Sequence, residues 1–201
     1  MAEPARPELV LASASPYRRQ MLKAAGLSFR VEPAALDETA LQRELEREAP
    51  PALAEALARA KAQAVSARFP GAIVIGADQV LALDGALLHK PGDVATARAH
   101  LMRLRGKTHE LHSGVAIARG GRVEWSHVSG ARLAMRAFSE AFLEDYLARS
   151  GASVCGIVGA YEIEGPGIQL FERIEGDHFT IIGLPLLPLL AHLRTRGVIG
   201  T

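Results

Sequence analysis

The sequence predicts an α/β fold in which a mixed sheet is flanked by helices. Apolar β-branched segments such as 73–75 alternate with helical segments that begin at the capping residues Ser15, Asp93 and Ser139. Tight hairpin turns and longer crossover connections both occur, which favours a mixture of antiparallel and parallel strand pairs. Since the chain has 201 residues, we expect a single domain over residues 1–201.

The first half of the chain begins with a short apolar strand at 9–12. The helix that follows is capped by Ser15 and ends at Gly26, and a second strand is expected at 29–31. Alanine has the highest helix propensity and dominates residues 52–67, so this segment is predicted to be a helix that begins at a proline pair.

The middle of the chain is expected to carry a buried strand and a hairpin. The unbroken apolar run 73–75 is typical of a strand that is buried on both faces. Residues 80–83 continue in extended form to a turn at Asp84 and Gly85, and a helix is expected at 94–105.

The last third repeats the alternation of strands and helices. A hairpin is predicted from strands 115–118 and 122–129, with two glycines in its turn. A helix at 140–149, a strand at 168–171 and a final helix at 184–196 complete the chain.

Composition excludes several classes of protein. Lys+Arg is 23 and Asp+Glu is 22, so the net charge of +1 provides no general field for nucleic acid. One cysteine excludes a disulfide framework and a multi-cysteine zinc site. Gly and Pro interrupt the apolar stretch 181–193, which is too short to span a bilayer, and residues 1–7 do not resemble a signal peptide. We therefore expect a cytoplasmic protein with no nucleic-acid or membrane partner.

The start of the first helix is a candidate anion site. Two hydroxyls, Ser13 and Ser15, precede two arginines, Arg18 and Arg19, in the first helical turn. Unpaired N–H groups and the helix dipole attract anions to this end, and arginine forks match phosphate oxygens. The alternative is an ordinary capped helix with two solvated arginines.

Carboxylates and lysines elsewhere are compatible with phosphate chemistry. Asp37 and Glu38 lie in a loop rich in Pro and Ala, and Asp78 follows the apolar strand, where α/β proteins place ligands. Such carboxylates serve as metal ligands or general bases, although a turn aspartate satisfying backbone N–H groups is the alternative for Asp78. Lys61 and Lys90 are candidate phosphate ligands, and each is otherwise a solvated lysine.

A glycine-rich segment at 159–167 holds two carboxylates. Three glycines in this segment suggest a close approach of the backbone to a ligand. An ordinary flexible loop is the alternative.

Taken in order, these segments resemble the Maf family of nucleotide pyrophosphatases. The motifs that carry the resemblance are LVLASASPYRRQML, LDE, the Ala-rich helix with Lys61, IVIGADQVLALDG, HKPGD, LRGKTHELHSGVAI, GAYEIEGPGIQLFERIEGD and GLPL. They cover nearly the whole chain, and their order is more specific than any one of them.

The resemblance implies hydrolysis of a nucleoside triphosphate between its α- and β-phosphates, with Mg²⁺ or Mn²⁺ as cofactor. It implies two lobes around a central cleft, similar to the inosine-triphosphatase fold, and a homodimer. Asp78 is the implied proton acceptor, and Asp37 or Glu38 would hold the metal with it. The side chains that fall on family motif positions lining the cleft are Ser13, Arg18, Arg19, Glu38, Lys61 and Lys90.

Three positions distinguish branches of this family. Tyr17, Gln79 and Glu164 resemble the branch that acts on 7-methyl-GTP, whereas the dTTP/UTP branch carries Arg, Thr and Gln there. A cationic 7-methylguanine ring stacked on Tyr17 gains roughly 0.5–2 kcal/mol. Glu164, when ionised, accepts from the N–H groups of guanine and repels uracil carbonyls.

Two alternatives stay open at this point. The stretch 176–180 resembles the family in general more than the 7-methyl-GTP branch, so use of dTTP, UTP or a broader set of nucleotides is the first. The second is a regulator of cell division or septum formation that binds nucleotide without turnover.

Overall fold

The structure, a computed structural model, describes residues 7–45 and 48–200. Its strands are β1 (Leu9–Leu11), β2 (Arg30–Val31), β3 (Ile73–Leu83), β4 (Ala86–Leu88), β5 (Thr108–Arg119), β6 (Arg122–Met135) and β7 (Phe171–Glu175). Its helices are α1 (Pro16–Ala24), α2 (Glu38–Glu44), α3 (Pro50–Arg68), α4 (Val94–Leu104), α5 (Glu140–Ser150), α6 (His178–Ile182) and α7 (Leu186–Thr195). Within the described ranges, no helix combines the length and the apolar character needed to cross a membrane.

The strands form one mixed sheet in the order β2-β1-β3-β5-β6-β7, with β4 beside β3. Strand β1 pairs in parallel with β2 and β3, and the remaining pairs are antiparallel. The predicted α/β class with a mixed sheet and flanking helices is therefore confirmed.

Helix α3 packs very closely on one face of the sheet. A Cβ atom added at Gly76 would lie 2.3 Å from the Ala58 carbonyl oxygen, and one at Gly114 would lie 2.3 Å from the Ala54 oxygen. Only glycine permits this approach of helix backbone to strand backbone. The two glycines thus bring the polar side chains of α3 within reach of β3.

The opposite face of the sheet carries two separate apolar clusters. One contains Ile75 and is covered by α1 and α7, and the other contains Leu81 and is covered by α4 and α5. The polar residues Gln79 and Ser113 lie between them on neighbouring strands. This division agrees with the two lobes and the cleft that the resemblance implies.

The structure corrects two expectations about strands. Segments 73–75 and 80–83 belong to one continuous strand, β3, so Asp78 lies within it and does not follow its end. The strand expected at 168–171 is wrong, because Pro166–Leu170 forms a 3₁₀ turn and β7 begins only at Phe171. Pro166 begins this turn with a fixed φ, and Ile168 N donates to the Gly165 carbonyl at 3.2 Å instead of to a neighbouring strand.

Two short helices were not expected. Glu38 begins α2 where a loop was predicted, because the Asp37 side chain accepts from Ala40 N at 3.0 Å and so caps a helix. Asp177 caps α6 in the same way, through Thr180 N at 3.0 Å. Both helices are short, and their apolar periodicity is correspondingly weak.

Candidate active site

A gap in the sheet lies at the carboxyl end of β1. Strand β1 pairs with β3 only as far as Ile75, and β4 begins to pair with β3 at Leu81. Along this side of β3, the described residues place no strand beside the segment 76–80. Ligands of α/β proteins bind beyond strand ends at such breaks, so the gap is the natural place for a substrate.

Helix α1 begins at this gap and carries Arg18 into it. Arg18 is buried, and its Nη1 donates to Ser13 Oγ at 3.0 Å and to the Ala77 carbonyl at 2.9 Å. Its Nε donates to the Gly183 carbonyl at 2.8 Å. Burial lowers the pKa of Arg18, while the carboxylates of Asp78 and Glu38 act in the opposite direction.

These contacts correct the expectation of a free guanidinium fork. Two of the three nitrogens of Arg18 already donate to protein oxygens, which ties α1, β3 and the Gly183 turn together. Arg18 therefore offers a phosphate its buried charge and the remaining Nη2, rather than a bidentate pair.

The other predicted phosphate ligands differ in what the structure shows of them. Ser15 caps α1, with its Oγ accepting from Arg18 N at 3.4 Å. Arg19 is exposed on the next position of α1. Lys90 is also exposed, two residues beyond the end of β4, and the structure brings neither of these cations into contact with Asp78.

A charged cluster lies on the α3 face of the gap. The Lys61 ammonium donates to Asp78 Oδ1 at 2.6 Å and lies 3.0 Å from Glu38 Oε1. The side chains of Lys61 and Asp78 are only 8% and 11% exposed, whereas that of Glu38 is 48% exposed. One lysine thus holds a buried carboxylate and a solvent-accessible one together, and burial strengthens the attraction between Lys61 and Asp78.

A cavity of about 250 Å³ lies on the other face of β3. It is lined by Tyr17, Gln79, Leu111, Ile157, Val158, Tyr161, Glu162, Ile163, Glu164, Ile181 and Ile182. The lining is largely apolar with a few polar groups, which is typical of a site for a flat organic ring.

Hydrogen bonds hold the walls of this cavity in place. The Gln79 amide nitrogen donates to Ser113 Oγ at 3.0 Å and to the carbonyls of Thr180 and Ile181 at 3.1 and 3.0 Å. The amide thereby anchors α6 against strands β3 and β5. Its nitrogen is used within the protein, so the amide oxygen is the atom that Gln79 offers to a ligand.

Tyr17 closes the cavity from the side of α1. Its hydroxyl donates to Glu162 Oε1 at 2.8 Å. Burial, with the Glu162 carboxylate, raises the pKa of Tyr17 to about 12, so Tyr17 remains a neutral donor. Glu164 lies on the same wall, and its Oε1 is 3.2 Å from Nε2 of the exposed His178.

Comparison with known proteins identifies the family. A family model described as Maf-like protein matches residues 8–196. The chain belongs to the Maf family. A 7-methyl-GTP pyrophosphatase of Rhizobium johnstonii is 51% identical over 195 residues, which are 96% of this chain and 98% of that protein. A nucleoside triphosphate pyrophosphatase of Nitrobacter winogradskyi is 53% identical over 192 residues, 96% of this chain and 95% of that protein.

The carboxylates of this Maf protein fit a magnesium or manganese ion that is shared with a substrate. Within the described residues, no three metal-ligating side chains come together. Glu38 and Asp78 instead form a pair on either side of Lys61. Mg²⁺ is commonly held by one or two carboxylates, with phosphates and water completing its shell, so this pair fits such an ion.

Sequence reasoning missed two features of the Maf cavity. Glu162 was passed over in favour of Glu164, although both carboxylates lie in the segment 159–167 that had been singled out. Behind the cavity, the buried His109 lies with its Nε2 2.7 Å from the Tyr161 hydroxyl. Nothing in the sequence around His109 indicated this partner, which lies 52 positions away.

Proposed function

We propose that this Maf protein hydrolyses the α–β phosphoanhydride of a nucleoside triphosphate, preferentially 7-methyl-GTP, to a monophosphate and pyrophosphate. The cluster of Lys61, Asp78 and Glu38 beside Arg18 is the observation that carries the proposal. At one break in the sheet, this cluster provides cations that can bind phosphate oxygens and a carboxylate that can accept a proton from water. The names of the relatives support the same reaction, and its role would be to remove modified nucleotides from the pool.

The proposed mechanism is direct attack by water. A water oxygen bonds to the α-phosphorus, its proton passes to the Asp78 carboxylate, and the bond from that phosphorus to the bridging oxygen breaks. Pyrophosphate leaves with the electron pair of that bond. Arg18 and Lys61 balance the charge on the phosphate oxygens, and the exposed Arg19 and Lys90 are proposed as further phosphate ligands. Lys61 also fixes the orientation of Asp78.

The proposal includes a divalent cation, Mg²⁺ or Mn²⁺, held by Glu38 and Asp78. When bound, it would neutralise phosphate charge and favour attack at phosphorus. Glu38 is suited to this role because its carboxylate is half exposed at the mouth of the cluster. Turnover should disappear in excess chelator and return when either metal is added back.

The cavity is proposed to take the base. Tyr17, Gln79 and Glu164 all line it, which supports the base-selecting roles that the resemblance implies. The ring of Tyr17 offers a face to a cationic purine, and Glu164 accepts from its N–H groups. The relatives carry two different names at similar identity, 51% and 53%, so the preference for 7-methyl-GTP rests on these residues.

A turnover panel tests the reaction and the base together. Purified protein is mixed with 7-methyl-GTP, GTP, UTP, dTTP and CTP in Mg²⁺ and in Mn²⁺, and pyrophosphate and monophosphate are both identified. We expect both products, fastest from 7-methyl-GTP. Preference for dTTP or UTP would contradict the base assignment. Tight binding without product would instead support a nucleotide-binding regulator.

A homodimer in the cytoplasm completes the proposal. The family resemblance supports the dimer, and the single cysteine is compatible with a reducing compartment. Light scattering measures the mass in solution, where a value near twice 21.4 kDa is expected. Fractionation of cells tests the location.

A further inference from the structure

The cavity carries a charge that is unusual for a nucleotide site. Its lining includes two carboxylates, Glu162 and Glu164, and among the described residues it includes no lysine or arginine. Negative walls repel the anionic triphosphate, and a neutral base offsets this repulsion only by donating hydrogen bonds. A base with its own positive charge is attracted by them.

The two carboxylates differ in what lies next to them. Glu164 lies beside His178, a cation whenever it is protonated, and both side chains are about half exposed, at 49% and 54%. Glu162 instead accepts from the neutral hydroxyl of Tyr17, which orients the carboxylate without cancelling its charge. Glu162 is therefore the more persistent source of negative charge on the cavity wall.

The geometry of Glu162 leaves it able to bind a ligand. Only Oε1 is used by Tyr17, and among the described residues no hydrogen-bond donor is found on Oε2. The same bond joins α1, where the phosphates would bind, to the segment 159–167 that lines the cavity. The carboxylate and the Tyr17 ring thus form one corner of the cavity, with an aromatic face and a negative edge.

Resting on the proposed function, we infer that Glu162 is a further base-selecting residue. Held by Tyr17, it makes the cavity favour a guanine ring that carries a positive charge, as 7-methylguanine does, over the neutral guanine ring. Tyr17 is the positioning residue for this carboxylate in addition to its own contact with the base.

Binding of products tests the inference without any turnover. Calorimetry measures the Kd of 7-methyl-GMP and of GMP for the wild type, Glu162→Gln and Tyr17→Phe. The matched control is Glu8→Gln, which removes an exposed carboxylate next to the far end of β1. Glu162→Gln keeps the size of the side chain and the Tyr17 bond while removing the charge.

We expect the wild type and the control to bind 7-methyl-GMP more tightly than GMP. In Glu162→Gln that preference should fall about tenfold, or about 1.4 kcal/mol, with GMP affinity within about twofold. Tyr17→Phe should reduce the preference less, because the ring and the carboxylate both remain. Because the two side chains share a hydrogen bond, the double variant Tyr17→Phe/Glu162→Gln should lose less preference than the sum of the two single losses.

Three results would overturn the inference. The first is an unchanged preference in Glu162→Gln. The second is an equal loss of affinity for both nucleotides in that variant, which would indicate a structural role. The third is the absence of any preference in the wild type. Failure of the proposed function has a different signature. In that case 7-methyl-GMP binding would depend on Glu162 while no triphosphate was hydrolysed.

Discussion

The two faces of strand β3 differ in their electrostatic environment. On the α3 face, Asp78 is paired with Lys61 at 2.6 Å, and the same lysine reaches Glu38. On the cavity face, Glu162 is held by a neutral hydroxyl, and the lining residues include no lysine or arginine. Asp78 and Gln79 are adjacent in sequence, so the alternation of side chains along one strand separates the two environments.

The difference teaches how a nucleotide site can divide its work. Paired charges suit phosphates, because cations are needed for the oxygens and a carboxylate is needed for water and metal. A carboxylate such as Glu162, held by a neutral hydroxyl in an apolar wall, suits selection, because it distinguishes a cationic ring from a neutral one. We therefore expect substitutions on the α3 face to change rate and substitutions on the cavity face to change preference.

The largest expected effect is that of Asp78→Asn. Removing the proposed proton acceptor should lower kcat by about 10²–10⁴-fold for every nucleotide, with the ratio between 7-methyl-GTP and GTP retained. Steady-state kinetics with both substrates measures this. Asp145→Asn, an exposed aspartate on α5, serves as the control. A full rate in Asp78→Asn would exclude Asp78 as the base.

The buried histidine behind the cavity should make the protein sensitive to acid. Burial lowers the pKa of His109 to about 4 from the usual 6.5. Between pH 6.5 and about 4, His109 binds a proton in the unfolded chain but not in the folded protein, so the free energy of unfolding decreases as the pH falls. The wild type should lose about 3 kcal/mol more than His109→Gln between pH 7 and below pH 4.

Urea unfolding of both proteins across this pH range measures the difference. The glutamine keeps a polar partner for Tyr161, and the exposed His178→Gln is the control. Parallel stability profiles for the wild type and His109→Gln would contradict the assignment of this acid sensitivity to His109.

Gly76→Ala should displace α3 from the sheet and lower the stability of the protein. The added Cβ would lie 2.3 Å from the Ala58 oxygen, so the helix must move, and overpacking of this kind costs about 1–3 kcal/mol. Thermal unfolding should show a Tm lower by about 2–4 °C per kcal/mol. Gly71→Ala, where no atom lies within 4 Å of the added carbon, should leave Tm unchanged.

The smallest effect is expected from Gln79→Ala on the cavity face. Loss of its bonds to Thr180 and Ile181 loosens α6, which should raise KM more than it lowers kcat. The preference between 7-methyl-GTP and GTP should change about fivefold, in line with the ~1 kcal/mol of a hydrogen bond. Gln63→Ala on the exposed side of α3 is the comparison. Equal changes for both nucleotides would assign Gln79 to the scaffold alone.

Much of the fold was predictable because local signals and tertiary packing agree. Ser15, Asp93 and Ser139 cap helices as their positions predicted. The turn at Asp84 and Gly85 has positive φ at both residues, as a tight hairpin requires. The continuity of β3 was not predictable, because Gly76 interrupts the apolar pattern. The glycine is needed for the close packing of α3, which is a tertiary contact that the local sequence does not indicate.

The site was predictable in its residues more than in its geometry. Lys61, Asp78 and Glu38 were all singled out, but their contact depends on how α2 and α3 pack on the sheet. Glu162 was missed because its partner, Tyr17, lies 145 positions away. Arg18 was expected to bind phosphate, and its carbonyl partners come from the middle of β3 and from the distant Gly183 turn.

The gap between β1 and β4 leaves Asp78 and Gln79 on one uninterrupted strand. The register of such a strand decides which side chains face each side of the sheet, because a shift of one residue moves every side chain to the opposite face. One inserted residue between Ile75 and Asp78 would turn the carboxylate toward the cavity and the amide toward α3. Substitutions at these positions therefore leave the two faces of the strand in place. An insertion or deletion in this segment would instead put the proposed proton acceptor on the cavity face and the proposed base-selecting amide on the α3 face.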